Sequence, residues 1–205
     1  LDGIEVDYTQ YSEKEKDQFF TNKDTARYCY NKCHEILSQW NVDLREYYYI
    51  EPSAGDGSFY TLFPKDRSIG IDIEPKCDGV IQSDFLLWKP TTTKNICLGN
   101  PPFGLRGNLA LKFINHAATF SDFVCFIVPQ LFDSEGKGSC KSRVKGLNLI
   151  HNEVIDSGFY YPDGKEVNVN VVFQIWSKHH KIEKEDINLD GIIKIYSLSD
   201  GGTPG

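Results

Sequence analysis

A chain of 205 residues, 40% hydrophobic and 13% aromatic, holds enough apolar side chain for one sizeable core and is no disordered polymer. No apolar run approaches the roughly 20 residues that span a bilayer. The opening "LDGIEVDYTQ" is too acidic for a signal peptide, so the chain reads as intracellular (cytoplasm or nucleus), neither membrane-bound nor secreted. A formal net charge of −7 argues against binding nucleic acid through an overall positive field, though not through a local basic patch.

Met is absent even at position 1, so the chain reads as trimmed or processed, and residues 1–16 as a loose lead-in. From Asp24 to Trp40, the apolar Cys29, Cys33, Ile36, Leu37 and Trp40 recur at helical spacing. "YYYI" (47–50) is a short aromatic strand running into the Gly-rich "EPSAGDGSF". "SIGIDIEP" (68–75), "GVIQSDF" (79–85) and "NICLGN" (95–100) are apolar runs punctuated by Gly, Pro and Asp. "NLALKFINHAATF" (108–120) puts Leu109, Ala110, Phe113, Ile114 and Ala117 on one helical face, with Lys112 and His116 expected in solvent. "FVCFIVP" (123–129) has the continuous apolar character of a strand buried on both faces. "DSEGKGSCKSRVKG" (133–146) reads as a mobile loop, "VNVNVVFQIW" (167–176) and "GIIKIYSL" (191–198) as strands, and 199–205 as a tail. Six cysteines form no CxxC pair and have no His at ligand spacing, so no metal is expected and the thiols read as reduced. Strands alternating with helices predict a single α/β domain over 1–205, its sheet parallel and its ligands at the carboxyl ends of the strands.

Gly55 and Gly57 let the turn after the first strand approach a ligand without a Cβ in the way, or else make a tight connection. Asp72, 17 positions after Gly55, ends the next strand, where an acid can accept both hydroxyls of a ribose. Asp84 ends the one after, where a carboxylate can take an adenine amino hydrogen while Phe85 packs on the ring. The bland reading of both acids is a solvated strand end or a cap of the following helix, but ligand-compatible groups at three successive strand ends favour an adenosine site. A dinucleotide fingerprint would carry a third glycine where Tyr60 stands, so no diphosphate cradle is evident. The adenosine-containing cofactor that needs none is S-adenosylmethionine.

"DQFFT", "EPSAGDGSF", "GIDIEP", "SDF" and "NPPFG" occur in the order seen in S-adenosylmethionine-dependent amino-methyltransferases. From about 17 to 176 the chain resembles the adenine-N6 methyltransferases of DNA and RNA in which the cofactor motifs precede the catalytic one. The resemblance implies a Rossmann-like methyltransferase fold: a mostly parallel, seven-stranded twisted sheet with helices on both faces and an antiparallel edge strand. It implies Thr21 and Glu51 near the methionine end of the cofactor, with Ser53, Gly55 and Gly57 shaping the pocket. It further implies Asp72 on the ribose, Ile73 and Pro102 against the adenine, and Asp84 with Phe85 recognising it. Catalysis falls to Asn100, Pro101 and Phe103.

The chemistry of "NPPF" agrees. An exocyclic amine conjugated to a ring is a poor nucleophile until both N–H bonds are drawn to acceptors and its lone pair is turned out of conjugation. The Asn100 side-chain oxygen and the Pro101 carbonyl are such acceptors. The proline pair stiffens the loop and removes competing donors, and Phe103 offers a stacking face worth about 1–3 kcal/mol. The bland alternative is a Pro-Pro turn with Asn100 capping a helix. The target base must be flipped out or unpaired. Backbone contacts are expected from Arg106 and from Lys137, Lys141 and Arg143 in the 133–146 loop, which is otherwise plain solvated connection. The expected reaction is methylation of adenine N6 in DNA or RNA. The rivals are a protein glutamine amide, cytosine N4, and a non-catalytic nucleic-acid-binding subunit. Only 29 residues follow Trp176, too few for a separate recognition unit, so target choice is expected from a partner protein, from substrate shape or from a part trimmed away.

Overall fold

The computed structural model describes residues 19–183; the expected lead-in, the strand over 191–198 and the tail lie outside the described residues. A short strand, β1 (Phe20–Thr21), leads into Asn22, whose side chain accepts from the N–H groups of Asp24 and Thr25 and opens helix α1 (Lys23–Gln39). Ala26, Cys29, Cys33 and Leu37 step by three and four and are all buried. This stripe rests on the sheet, with Cys33 Sγ 3.5 Å from Cys125 Sγ.

There follow β2 (Tyr48–Glu51), β3 (Ser68–Asp72), β4 (Ile81–Gln82), β5 (Asn95–Gly99), helix α2 (Asn108–Ala117) and β6 (Phe123–Pro129). Then come β7 (Asn148–Ile155), β8 (Phe159–Tyr160), β9 (Glu166–Val167) and β10 (Val171–Ser177). Among the described residues the main sheet has seven strands, in the order β4-β3-β2-β5-β6-β10-β7. β2 through β6 are parallel, and β10 runs antiparallel to both β6 and β7. Every residue of β5, and Phe123–Val128 of β6, is buried, so the centre of the sheet is covered on both faces. Each large apolar side chain buried there contributes roughly 1.5–3 kcal/mol.

The antiparallel strand corrects one expectation: it lies second from the end of the sheet, not at the edge. β10, buried at every residue, takes the inner place, while β7, exposed at Asn152 and Val154, takes the edge. No sequence signal marks β7, because His151, Asn152 and Glu153 interrupt its apolar run as an edge strand permits. β4 is shorter than the run 79–85 suggests, and 167–176 divides between β9 and β10. The β2–β3 and β3–β4 connections contain 3₁₀ turns or irregular chain instead of α-helices. His116, expected in solvent, donates from Nε2 to the Trp88 carbonyl at 2.7 Å and packs edge-on against Phe85; Lys112 is exposed.

The chain leaves β2 to one side for β3 and β4, then returns to the other side for β5. Such a reversal opens a crevice outside the carboxyl ends of the two central strands, here Glu51 and Gly99. A second, three-stranded sheet, β1-β8-β9, pairs Thr21 with Phe159 and fastens the segment before α1 beside that crevice. No described helix is long and apolar enough to cross a membrane.

Candidate active site

The crevice is open to solvent and is lined from three directions. β2 contributes Glu51 and the turn Ser53–Gly55; β3 contributes Asp72; the loop after β5 contributes Asn100, Pro101 and Pro102. Phe19, Phe20 and Thr21 close it from the side of β1.

Gly55 has φ +52° and donates its N–H to Asp72 Oδ2 at 2.7 Å, tying the first turn to the end of β3. A Cβ at this position would stand 2.8 Å from the Phe20 ring, so only glycine fits. Asp72 Oδ1 also accepts from the Glu74 N–H at 2.8 Å. Burial nonetheless raises the Asp72 carboxyl above its ordinary value, the two N–H groups and Lys76 opposing the shift.

Glu51 is 3% exposed, and its Oε2 accepts from the Tyr60 N–H at 2.6 Å. Burial pushes this carboxyl well above the usual range, with Asp56 and Asp72 adding to the effect. Because the folded pKa exceeds the unfolded one, the folded state holds more protons between those two values. Stability therefore falls as pH rises through that window. Glu51→Gln keeps an acceptor for Tyr60 and is expected to raise the melting temperature of the ligand-free protein at pH 8 by about 2–4 °C, the shift that ~1 kcal/mol produces in a chain of this size. Thermal scans between pH 5 and 8 check this: wild type and variant should converge at the acid end.

Asn100 donates from Nδ2 to Thr21 Oγ1 at 3.1 Å and to the Phe19 carbonyl at 3.3 Å. Since the carbonyl can only accept, the amide orientation is fixed. Its Oδ1 is then buried without a hydrogen-bond partner among the described residues. Such an oxygen costs about 1–3 kcal/mol, and proteins retain few of them. The capping alternative for Asn100 fails, because α2 is capped instead by the Phe103 carbonyl, which accepts from Leu109 and Ala110 N–H at 3.0 and 3.1 Å. Pro101 is buried beside Asn100.

In layout, the sheet runs β4-β3-β2-β5-β6, followed by the antiparallel β10 and the edge strand β7, with the crevice at its reversal. No protein-family model matches the chain. A Pyrococcus horikoshii protein, provisionally named an RNA methyltransferase, superposes with a TM-score of 0.57 at 16% identity, covering 82% of this chain and 90% of that one. The modification subunit of a provisionally named type I restriction enzyme from Vibrio vulnificus gives 0.51 at 14% identity, over 82% of this chain and 46% of that one. The fold is that of the Rossmann-like methyltransferases. In sequence, the chain is 36% identical over 79 residues to the type II methyltransferase M.TthHB8I of Thermus thermophilus, a match spanning 33% of this chain and 18% of that enzyme.

Within this methyltransferase fold, the crevice gathers Thr21, Glu51, Ser53, Gly55, Asp72, Asn100, Pro101 and Pro102, eight residues drawn from four separate sequence motifs. Others named from the sequence stand outside its lining. Gly57 packs against Cys77, where a Cβ would lie 2.6 Å from Sγ. Asp84 accepts from the Leu86 N–H at 2.9 Å, the capping role that was its alternative, and Ile73 is half-buried beyond the lining. Phe85 is a correction: it is 1% exposed among Phe113, His116 and Phe120, because the 3₁₀ turn that Asp84 caps carries its ring into the core. Phe103 is 6% exposed with its ring 6.1 Å from Phe19, which in turn lies 5.4 Å from Tyr161.

Phe19, Phe20, Asp56, Ser58, Glu74 and Lys76 line the crevice without having been singled out from the sequence. Glu74 and Lys76 follow Asp72 by two and four positions, a signal that was available. Phe20 lies within "DQFFT", but its place on Gly55 depends on β1 pairing with β8, more than a hundred residues away. Among the described residues no cluster of His, Cys, Asp or Glu is arranged to hold a metal.

Proposed function

We propose that the protein transfers a methyl group from S-adenosylmethionine to the exocyclic N6 amine of an adenine in DNA or RNA. The observation that carries this reading is the Oδ1 of Asn100, buried and without a partner among the described residues, on a residue that lines the crevice. An acceptor kept without a donor suits a donor that arrives with the substrate.

The residues fit the cofactor. Glu51 is a buried acid whose ionised form lacks a cation, which the cofactor's ammonium would supply, with Thr21 and Ser53 alongside. An ionised carboxylate offers about four acceptor positions, so Asp72 can hold Gly55 and Glu74 and still take ribose hydroxyls. Pro102 and Ile73 would flank the adenine. When bound, the cofactor supplies an electrophilic methyl carbon on a sulfonium sulfur.

The chain's own part is orientation. Asn100 Oδ1 and the Pro101 carbonyl each accept one hydrogen of the target amine, drawing its lone pair out of conjugation and toward the methyl. Nitrogen sheds its proton to water after the carbon–nitrogen bond has formed, so no strong base is needed. Stacking of the target base on Phe103 requires Phe19 to give way.

Incubation with labelled cofactor and separate DNA, RNA and protein pools, followed by digestion and mass spectrometry, tests the reading. N6-methylated adenine nucleoside is expected; label confined to protein would overturn it. Replacing Arg106 or Arg143 by Ala is expected to weaken binding across all sequences and to lower the slope of log K against log salt by about one each, measurable by filter binding over a salt series.

A further inference from the structure

The loop joining Phe103 to α2 is more elaborate than an acceptor clamp requires. Leu105, two residues after Phe103, is 81% exposed. Arg106 follows it at φ +52°, a left-handed conformation uncommon in residues other than glycine. The loop is braced in this shape. Gly107 donates its N–H to the Gly104 carbonyl at 3.1 Å, and the Cys140 thiol meets the Arg106 carbonyl at 3.5 Å. Gly107 has φ +71°, and a Cβ there would lie 2.9 Å from the Phe132 ring, so the loop sits hard on the 3₁₀ turn Gln130–Asp133. Leu105 is thus held out into solvent by a fixed backbone.

Arg106 is the next residue, and Arg143 reaches the same loop. The Arg143 guanidinium contacts Asn108 Oδ1 at 3.4 Å and Cys140 Sγ at 3.2 Å, the same sulfur that meets the Arg106 carbonyl. Asn115 pins this strip to α2, accepting from the Lys145 N–H at 2.9 Å and donating to the Arg143 carbonyl at 3.2 Å. Arg106 and Arg143, separate candidates in the sequence, therefore sit on loops joined through Cys140 next to the exposed Leu105, while Lys141 is paired with Glu135. An apolar tip beside two arginines matches a partner that is stacked and apolar inside and anionic outside.

We propose that Leu105 is a wedge for helical nucleic acid, entering the base stack beside the target and filling the gap left when the adenine swings into the crevice, while Arg106 and Arg143 hold the flanking phosphates. The proposal rests on the adenine-methyltransferase reading and adds to it how a paired base is released.

The test offers random-sequence DNA and RNA as duplexes and as the same unpaired strands, measuring methyl incorporation by digestion and mass spectrometry. For Leu105→Ala the ratio of duplex to unpaired methylation is expected to fall about tenfold, since opening a pair carries a cost that an unpaired base escapes. Leu105→Met should restore the ratio. The exposed position makes loss of folding a poor explanation for either result. An unchanged ratio, with methyl transfer intact, overturns the wedge alone. A wild-type protein that methylates neither nucleic acid in either form overturns the parent reading and the wedge together, so the two failures are distinguishable.

Discussion

Asn100→Ala is expected to lower the rate of methyl transfer about a hundredfold or more, the usual scale for removing one preorganised hydrogen-bond partner from a reacting group. Single-turnover kinetics with saturating cofactor would measure it. The substitution should leave the protein close to its wild-type melting temperature, which separates this residue from an ordinary buried amide. Two hydrogen bonds, to Thr21 and Phe19, are lost, each worth about 0.5–1.5 kcal/mol. Against that, the unsatisfied Oδ1 disappears, recovering about 1–3 kcal/mol. A large loss of stability with little loss of rate would invert the assignment and make Asn100 a structural tether for the segment before α1.

Asp72→Ala should weaken binding of S-adenosylhomocysteine about thirtyfold, equivalent to ~2 kcal/mol and within the roughly 1.5–3 kcal/mol that one hydrogen bond to a charged group contributes. The variant also loses the Gly55 and Glu74 anchors, so Asp72→Asn, which keeps one acceptor, serves as the intermediate case. Calorimetric titration orders the three proteins. A pH dependence follows from the burial that raises the Asp72 carboxyl: the ionised form is the better acceptor, so affinity falls as pH drops through that raised value. In Asp72→Ala this contribution to the pH dependence should be gone. Equal affinities across the series would remove Asp72 from the ribose site.

The centre of the sheet was legible in the sequence, the periphery much less so. β5 and β6 announce themselves because every side chain must be apolar when both faces are covered. The turn at Gly55 and the acid at Asp72 were legible because each follows a strand and shares one crevice by topology. β7 was silent because an edge strand can afford His, Asn and Glu. β1, β8 and β9 were silent because two residues have no period, and their pairing rests on contacts far apart in sequence. Phe85 misled for a related reason: a capping acid before an aromatic ring looks the same whether the ring turns toward a ligand or into the core. Arg106 and Arg143 were each visible as cations, but only Cys140 and Asn115, neither of them charged, bring them together.

The position of β10 bears on how the molecule is made. It is among the last described segments to leave the ribosome, yet it is the plank to which both β6 and β7 are nailed. Until Ser177 has emerged, two neighbours wait with bare backbone edges, one of them, β6, wholly apolar. A nascent chain of this kind is exposed to misassociation until this stave is slotted home.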